Sequence, residues 1–418
     1  MAGLGVWFRG LLNTKENADS GASPAHVRPR TSERSSFDED NNDFALATYG
    51  QLRQEPGNIF LSPFSIRIAL AMTLAGARGE TAAQMREALR ISSSDEMLHV
   101  AIAKTIQQLN DAGAGTYEMA VANSLWGQSG DPFQPEFLDL IARHYGGGMN
   151  LVDFRRGAET ARRTINRWVE DKTKQRIQEL IPSGGVNGFT RLVLANAVYF
   201  KGMWASPFDK EATHHAPFYV DGGGQVEASL MHQTKEVRYL QAKGYQAVDI
   251  AYRGGDLSML VLLPDRQDGL RDLEDQLTER RLHDCTAQME TRQVKLFLPR
   301  FKITWGTTDV SSQLTALGMP LAFRPLEADF SGMNGHEPPH VDSLFISAVF
   351  HKAFVEVNEK GTEAAAATAV AMTYGARSSP PPKIPLFRAD HPFLFAIRDR
   401  RSGTIVFFGR ISDPTQEH

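Results

Sequence analysis

One cysteine, Cys285, is all the chain contains, so no disulfide within it can staple the fold; that count fits a reducing compartment without requiring one. Nowhere do apolar residues approach the roughly 20 in a row that span a bilayer. There is no basic excess either: the formal net charge is −4, which argues against a nucleic-acid binder. No Gly/Ser-rich or Pro-rich linker divides the interior, so the 418 residues suit one large mixed domain as well as two or three. Also missing are a Gly-x-Ser-x-Gly elbow, a phosphate-binding loop and a dinucleotide fingerprint, which leaves an enzyme no site to stand on. What remains is the composition of a soluble globular protein, 42% hydrophobic and 22% charged.

The beginning of the chain stands apart. Met1 to Leu12 is short in its apolar run and broken by Arg9, a poor secretory signal. From Asn13 to Asn42 hardly any large apolar side chain occurs, so residues 1–42 are expected to form a disordered tail and residues 43–418 the folded domain. Phe44 to Leu52 reads as an amphipathic helix. Ser62 followed by Pro63 opens another, with Ile66, Ala69, Leu70, Thr73 and Leu74 at helical spacing. Thr81 and Gln84 read as a capping box. Leu192 to Phe200 is a continuous apolar run suited to a strand buried on both faces, and Asn196 in its middle must find a polar partner on a neighbouring element. Beyond Trp204, short alternating segments predict antiparallel strands, with a charged helix from Gly269 to Leu282 and a strand from Val349 to Val357 carrying His351.

Three chemical motifs fail on inspection. His336-Glu-Pro-Pro-His340 spells a zinc-protease pattern, but the pattern works only on a helix, and Pro338 and Pro339 break one at about 3 kcal/mol or more each. No metal site is therefore expected. Cys285 and His283, two apart on a helix, do not face each other, so a cysteine nucleophile is not supported. The basic stretch 155–176 could offer a polyanion site, yet Ile165, Trp168 and Val169 make an apolar stripe that leaves its arginines as a solvated face, the better reading.

The segment from Glu359 to Arg377 is stranger. Alanines and Thr362 favour a short capped helix, whereas the β-branched Thr368, Val370 and Thr373 favour a strand. As a strand, alternate residues Thr362, Ala364, Ala366, Thr368, Val370 and Met372 share one face, all small or apolar and none charged: that row can be buried.

Over nearly its whole length, from about Asp43 to Pro414, the chain resembles the serpin family. The resemblance rests on separated motifs in the right order: Asn58-Ile-Phe-Leu-Ser-Pro-Phe-Ser-Ile66, Leu194-Ala-Asn-Ala-Val-Tyr-Phe-Lys-Gly-Met-Trp204, Leu298-Pro-Arg-Phe301, His351-Lys-Ala-Phe-Val-Glu-Val-Asn-Glu359 and, most specific, Phe387-Arg-Ala-Asp-His-Pro-Phe-Leu-Phe-Ala-Ile397. It implies an α+β fold of three β-sheets with about nine α-helices and an exposed reactive loop, here about 359–383. It further implies a suicide substrate: a serine protease cuts the loop, the loop inserts as a new strand of the main sheet, and the acyl-linked protease is dragged across and distorted. The resemblance implies a protease partner held covalently by a monomer, with no cofactor, nucleic acid or membrane. An extracellular location is consistent with it.

Carried over position by position, the resemblance makes Glu359, Gly361, Thr362, Ala364, Ala365, Ala366, Ala367 and Thr368 the loop's hinge. Ser62, Ser65, Asn196 and His351 match the polar cluster beneath the opening sheet. Trp204, Arg300 and Glu359 match the start of insertion, with an ion pair expected between the last two. Counting sixteen residues from Glu359 selects Gly375-Ala376 as the scissile bond; Tyr374-Gly375, for a chymotrypsin-like pocket, and Arg377-Ser378, for a trypsin-like one, remain alternatives. Four consecutive alanines resemble the inhibitors, whereas ovalbumin-like storage proteins often carry bulky or charged residues there. The runner-up is a non-inhibitory serpin, a chaperone or carrier.

Overall fold

The structure, a computed structural model, describes residues 35–113, 116–146, 149–361 and 383–417. Its main sheet has five strands in the order Phe301–Asp309, Ile346–Val357, Leu192–Gly202, Tyr117–Gln128 and Met149–Val152. The central two run parallel, with Leu194 opposite Val349, Asn196 opposite His351 and Tyr199 opposite Phe354. Each has an antiparallel neighbour on its outer side. Burial on both faces explains the apolar run: Leu192, Leu194, Val198 and Phe200 enter the large core, while Val193, Ala195, Ala197 and Tyr199 enter a second cluster under the helix Phe154–Lys172.

The second sheet runs Ile59–Leu61, Ile405–Ile411, Phe393–Asp399, Leu257–Pro264, Tyr245–Ala251, Gln225–Ala242, Glu290–Pro299 and Leu386–Arg388, with His214–Tyr219 as a ninth strand on Gln225–Ala242. That long strand takes His214–Tyr219 along 225–230 and Tyr245–Ala251 along 238–242, with Glu290–Pro299 on its other edge. What the resemblance counts as a third sheet is thus continuous with the second through one strand. Ten α-helices are present among the described residues.

Several boundaries differ from those read in the sequence. The first helix spans Ser36–Leu52 rather than starting at Phe44, so residues 36–42, expected in the tail, are folded. Their polar side chains misled the hydropathy reading because they are buried against the chain's end: Asn41 Nδ2 donates to Ile405 O at 3.0 Å, Asn42 Nδ2 donates to Gly403 O at 3.1 Å, and Ile405 N–H donates to Asn42 Oδ1 at 2.8 Å. Thr81 and Gln84 form no capping box. The helix there, Gly79–Ala88, starts three residues before a Thr81 cap would begin it, and both side chains reach across to accept from Asp329 N–H and Leu321 N–H. The charged helix divides into Leu270–Asp275 and Glu279–Gln288, because Thr278 accepts from Arg281 N–H and caps a new start. The strand Phe301–Asp309 was not foreseen.

Candidate functional site

Ser62 does cap the helix Pro63–Leu74: its Oγ accepts from Ser65 N–H at 3.3 Å and donates to Val406 O at 2.8 Å. This places Ser65 under the middle of the main sheet, where Asn196 and His351 face each other across the parallel pair. Ser62 N–H donates to His351 Nε2 at 3.2 Å, so the ring proton sits on Nδ1, which donates to Asn196 Oδ1. Asn196 Nδ2 then donates to Ser65 Oγ at 2.8 Å and to Asn123 Oδ1 at 2.6 Å, and Ser65 Oγ donates to Asn123 Oδ1 at 2.8 Å. All four expected residues meet, and every bond runs in one consistent direction. The arrangement requires a neutral imidazole, and burial pushes the His351 pKa down to about 3. Asn123 is a member that sequence reasoning missed. The signal was there, a lone amide in the apolar run Met119 to Trp126, the same pattern that marked Asn196.

Above this cluster the strand Ile346–Val357 ends in a tight turn. Asn358 N–H donates to Gly361 O at 2.8 Å, and Gly361 N–H donates to Asn358 O at 3.1 Å. Gly361 also bridges Met203, the residue just past the end of the other central strand, and both bridges are antiparallel. Only glycine fits: its φ is +132°, and an added Cβ would stand 2.2 Å from Gly202 O. Aromatic residues hold the turn. Trp204, stacked on Tyr252 at 4.7 Å, donates from its backbone N–H to Lys360 O at 3.0 Å and from Nε1 to Asn358 O at 2.9 Å, and Phe208 N–H donates to Glu359 O at 2.8 Å. Arg300 and Glu359 come together as an ion pair, with Nε donating to Oε1 at 2.6 Å, and Thr213 Oγ1 donates to the same oxygen. Burial would raise the Glu359 carboxyl, but the Arg300 and Thr213 hydrogen bonds outweigh it and hold the pKa below the usual range. Phe208 and Thr213 carry no sequence signal for this role.

Thr362, Ala364, Ala365, Ala366, Ala367, Thr368, Tyr374, Gly375, Ala376 and Arg377 lie outside the described residues. Among the rejected motifs, the segment 336–340 belongs to no helix and the His336 and His340 rings stack at 4.4 Å. Cys285 is buried, and burial pushes its thiol pKa up, away from nucleophilic reactivity. In the basic stretch, Arg155 pairs with Asp342, Arg162 and Arg163 with Glu159, and Lys174 with Glu118.

Comparison with known proteins gives a single answer. The profile described as "Serpin (serine protease inhibitor)" matches residues 39–414. Leukocyte elastase inhibitor of Homo sapiens is 41% identical over 384 residues, 90% of this chain and 98% of that protein. Among solved structures, uncleaved ovalbumin superposes with a TM-score of 0.80 at 30% identity, covering 91% of this chain and 100% of that one. The thermophilic serpin tengpin in its native state superposes with a TM-score of 0.82 at 27% identity, covering 91% and 95%.

Proposed function

The chain belongs to the serpin family, and from that premise we propose how residues 359–377 inhibit a serine protease. The target attacks the loop at Gly375-Ala376, and the loop then enters the main sheet between Leu192–Gly202 and Ile346–Val357. The reading is of an inhibitor rather than an enzyme, acting as a monomer in a covalent complex without a cofactor.

The observation that carries it is Gly361. It already pairs antiparallel with Asn358 and Met203, the residues just past the ends of the two central strands, the geometry of a new strand's first residue. A chain that leaves the end of a strand and folds straight back can only run antiparallel to it, so a loop inserted here turns one parallel contact, slightly the weaker kind, into two antiparallel ones. In that register each further loop residue meets one residue further back along the central strand. Ala364, Ala366, Thr368, Val370 and Met372 come to lie opposite Phe200, Val198, Asn196, Leu194 and Leu192. Directly opposed residues share a face, and that face is the large core. Thr368 thereby arrives between Asn196 and His351, where its hydroxyl can replace the bond that insertion breaks.

Hydrogen bonds net roughly 0.5–1.5 kcal/mol each against an ordering cost of about 1–2 kcal/mol per residue. They do not drive insertion, so burial of the small apolar row and release of strain in the uncleaved fold must. One charge in that row would stop it. The test is Thr362→Arg incubated with leukocyte elastase, chymotrypsin, subtilisin and trypsin. The parent chain should give a complex that survives boiling in detergent; the variant should be cut as a plain substrate, and a persisting complex would remove loop insertion as the mechanism. Mass of the released C-terminal fragment reads the scissile bond, and cleavage only after Arg377 would overturn Gly375-Ala376. A gain in thermal stability on loop cleavage without any complex would instead favour the carrier or chaperone reading.

A further inference from the structure

In the nine-stranded sheet a single buried carboxylate is shared by three guanidinium groups. Asp249, on Tyr245–Ala251, lies opposite Arg238 of the neighbouring strand, and its side chain is fully buried. One oxygen serves all three arginines: Arg398 Nη2 donates to Asp249 Oδ2 at 3.1 Å, and Arg238 Nη1 and Arg400 Nε pair with it at 3.5 Å and 3.8 Å. Burial would raise the Asp249 pKa, but Arg398 and Arg400 outweigh it and hold the carboxyl below its usual range. The carboxylate is therefore ionised, and it sets one negative charge against three positive ones.

No neighbour makes up the difference. Among the described residues no second carboxylate pairs with Arg238, Arg398 or Arg400; Asp256 and Asp399 pair with Arg401 instead. Burial lowers the Arg238 pKa, Asp249 opposes it, and Arg398 and Arg400 lower it further, as cations do when they repel one another. Arg398 is only 4% exposed, and its Nε is buried without a hydrogen-bond partner among the described residues. A buried donor of that kind calls for an acceptor. Arg238 and Arg400 are each about one-third exposed, yet both are fixed in place. Besides Asp249, Arg238 Nη2 donates to Thr286 O, in the helix Glu279–Gln288, and Arg400 Nη1 donates to Gly255 O at 3.1 Å. Guanidinium groups held beforehand and still open to solvent suit a tetrahedral oxyanion, which their planar forks can bind two bonds at a time.

We infer that Arg238, Arg398 and Arg400 form a binding site for a phosphate group, whose charge of nearly two balances the two cations that Asp249 leaves over. The same chemistry serves inorganic phosphate and the phosphomonoester of a larger molecule. The site belongs to the nine-stranded sheet and stands apart from the loop-insertion reading.

The test follows thermal unfolding of the full chain near neutral pH while inorganic phosphate is added, with sodium chloride at equal ionic strength as the control. The midpoint should rise along a saturating curve with phosphate and not with chloride. General exclusion of phosphate from the protein surface would give a rise that does not saturate. Arg400→Met and Arg238→Met leave the Arg398 to Asp249 pair intact and should weaken the fitted affinity by about tenfold or more, the worth of one hydrogen bond to a charged group. Arg400→Lys, which keeps the charge but loses the fork, should fall between. Asp249→Asn removes the competing anion and should tighten binding. Glycerol 3-phosphate is the second probe: affinity equal to that of inorganic phosphate assigns the site to a phosphomonoester, and affinity weaker by about tenfold assigns it to the free ion. A rise that does not saturate, or equal affinity in the parent chain and Arg400→Met, would overturn the inference and leave loop insertion standing.

Discussion

The two sheets are joined at their middles in opposite ways. In the nine-stranded sheet Phe393–Asp399 lies antiparallel between Leu257–Pro264 and Ile405–Ile411, and Phe60 stacks on both Phe395, at 5.7 Å, and Phe407, at 5.2 Å. In the five-stranded sheet the central pair is parallel, its side chains include Ala195, Ala197, Ala348 and Ala353, and a hydrogen bond from His351 to Asn196 crosses the junction. Large apolar contacts scale with buried area and have no replacement once parted. Hydrogen bonds to a small polar cluster can be exchanged one for another. The first kind of junction is suited to staying shut, the second to opening along a defined line.

The largest effect should come from treating the two junctions alike. Phe395→Ala is expected to lower stability by about 3–5 kcal/mol in denaturant unfolding, with no change in the rate at which the loop enters the main sheet. Asn196→Ala leaves His351 Nδ1 without its acceptor, while Ser65 Oγ and Asn123 Oδ1 each lose one bond and keep each other. It should lower stability by about 1–3 kcal/mol yet speed insertion, followed by hydrogen exchange in the strands Leu192–Gly202 and Ile346–Val357. Equal insertion rates in the two variants would erase the distinction between the sheets.

A smaller effect sharpens it through pH. The unfolded chain takes up a proton at His351 near pH 6.5, whereas burial keeps the folded imidazole neutral down to about pH 3. A depressed folded pKa on a histidine means the group's contribution is complete above pH 6.5 and lost as pH falls from there toward 3. Between pH 7 and 5.5 the loss should be about 1 kcal/mol, and it should vanish in His351→Gln. A slope that persists in that variant would place the acid sensitivity elsewhere than the main sheet's junction.

How much of this was legible in the sequence depended on where each signal sat. Ser62-Pro63 announced a helix start because capping is local, and Asn196 announced a partner because a buried amide cannot stay unpaired. Asn41 and Asn42 looked like tail residues because their justification is the backbone of Gly403 and Ile405, at the other end of the chain. The strand Phe301–Asp309 was lost for a similar reason: its pairing with Ile346–Val357 is long-range, and its own pattern of Lys302, Thr304 and Gly306 is too polar to stand out. Gly361 could be flagged as a hinge by resemblance, but its double pairing is a three-body contact that no local pattern encodes.

The smallest expected effect lies at the hinge and concerns Arg300. Its side chain is 42% exposed, so the pair with Glu359 is partly screened. Glu359 would also keep its bond from Thr213, and the turn's carbonyls their bonds from Trp204 and Phe208. Arg300→Ala should therefore weaken the closed hinge by no more than about 1 kcal/mol and quicken loop insertion by up to about fivefold, read as the rate of stable complex formation after cleavage. The same substitution paired with Asn196→Ala should add nearly independently, since the turn and the polar cluster share no hydrogen bond. If Arg300→Ala leaves insertion unchanged, the ion pair has no part in holding the loop back. The readiness of the main sheet to open would then rest on the Asn196 and His351 junction and on Gly361 alone.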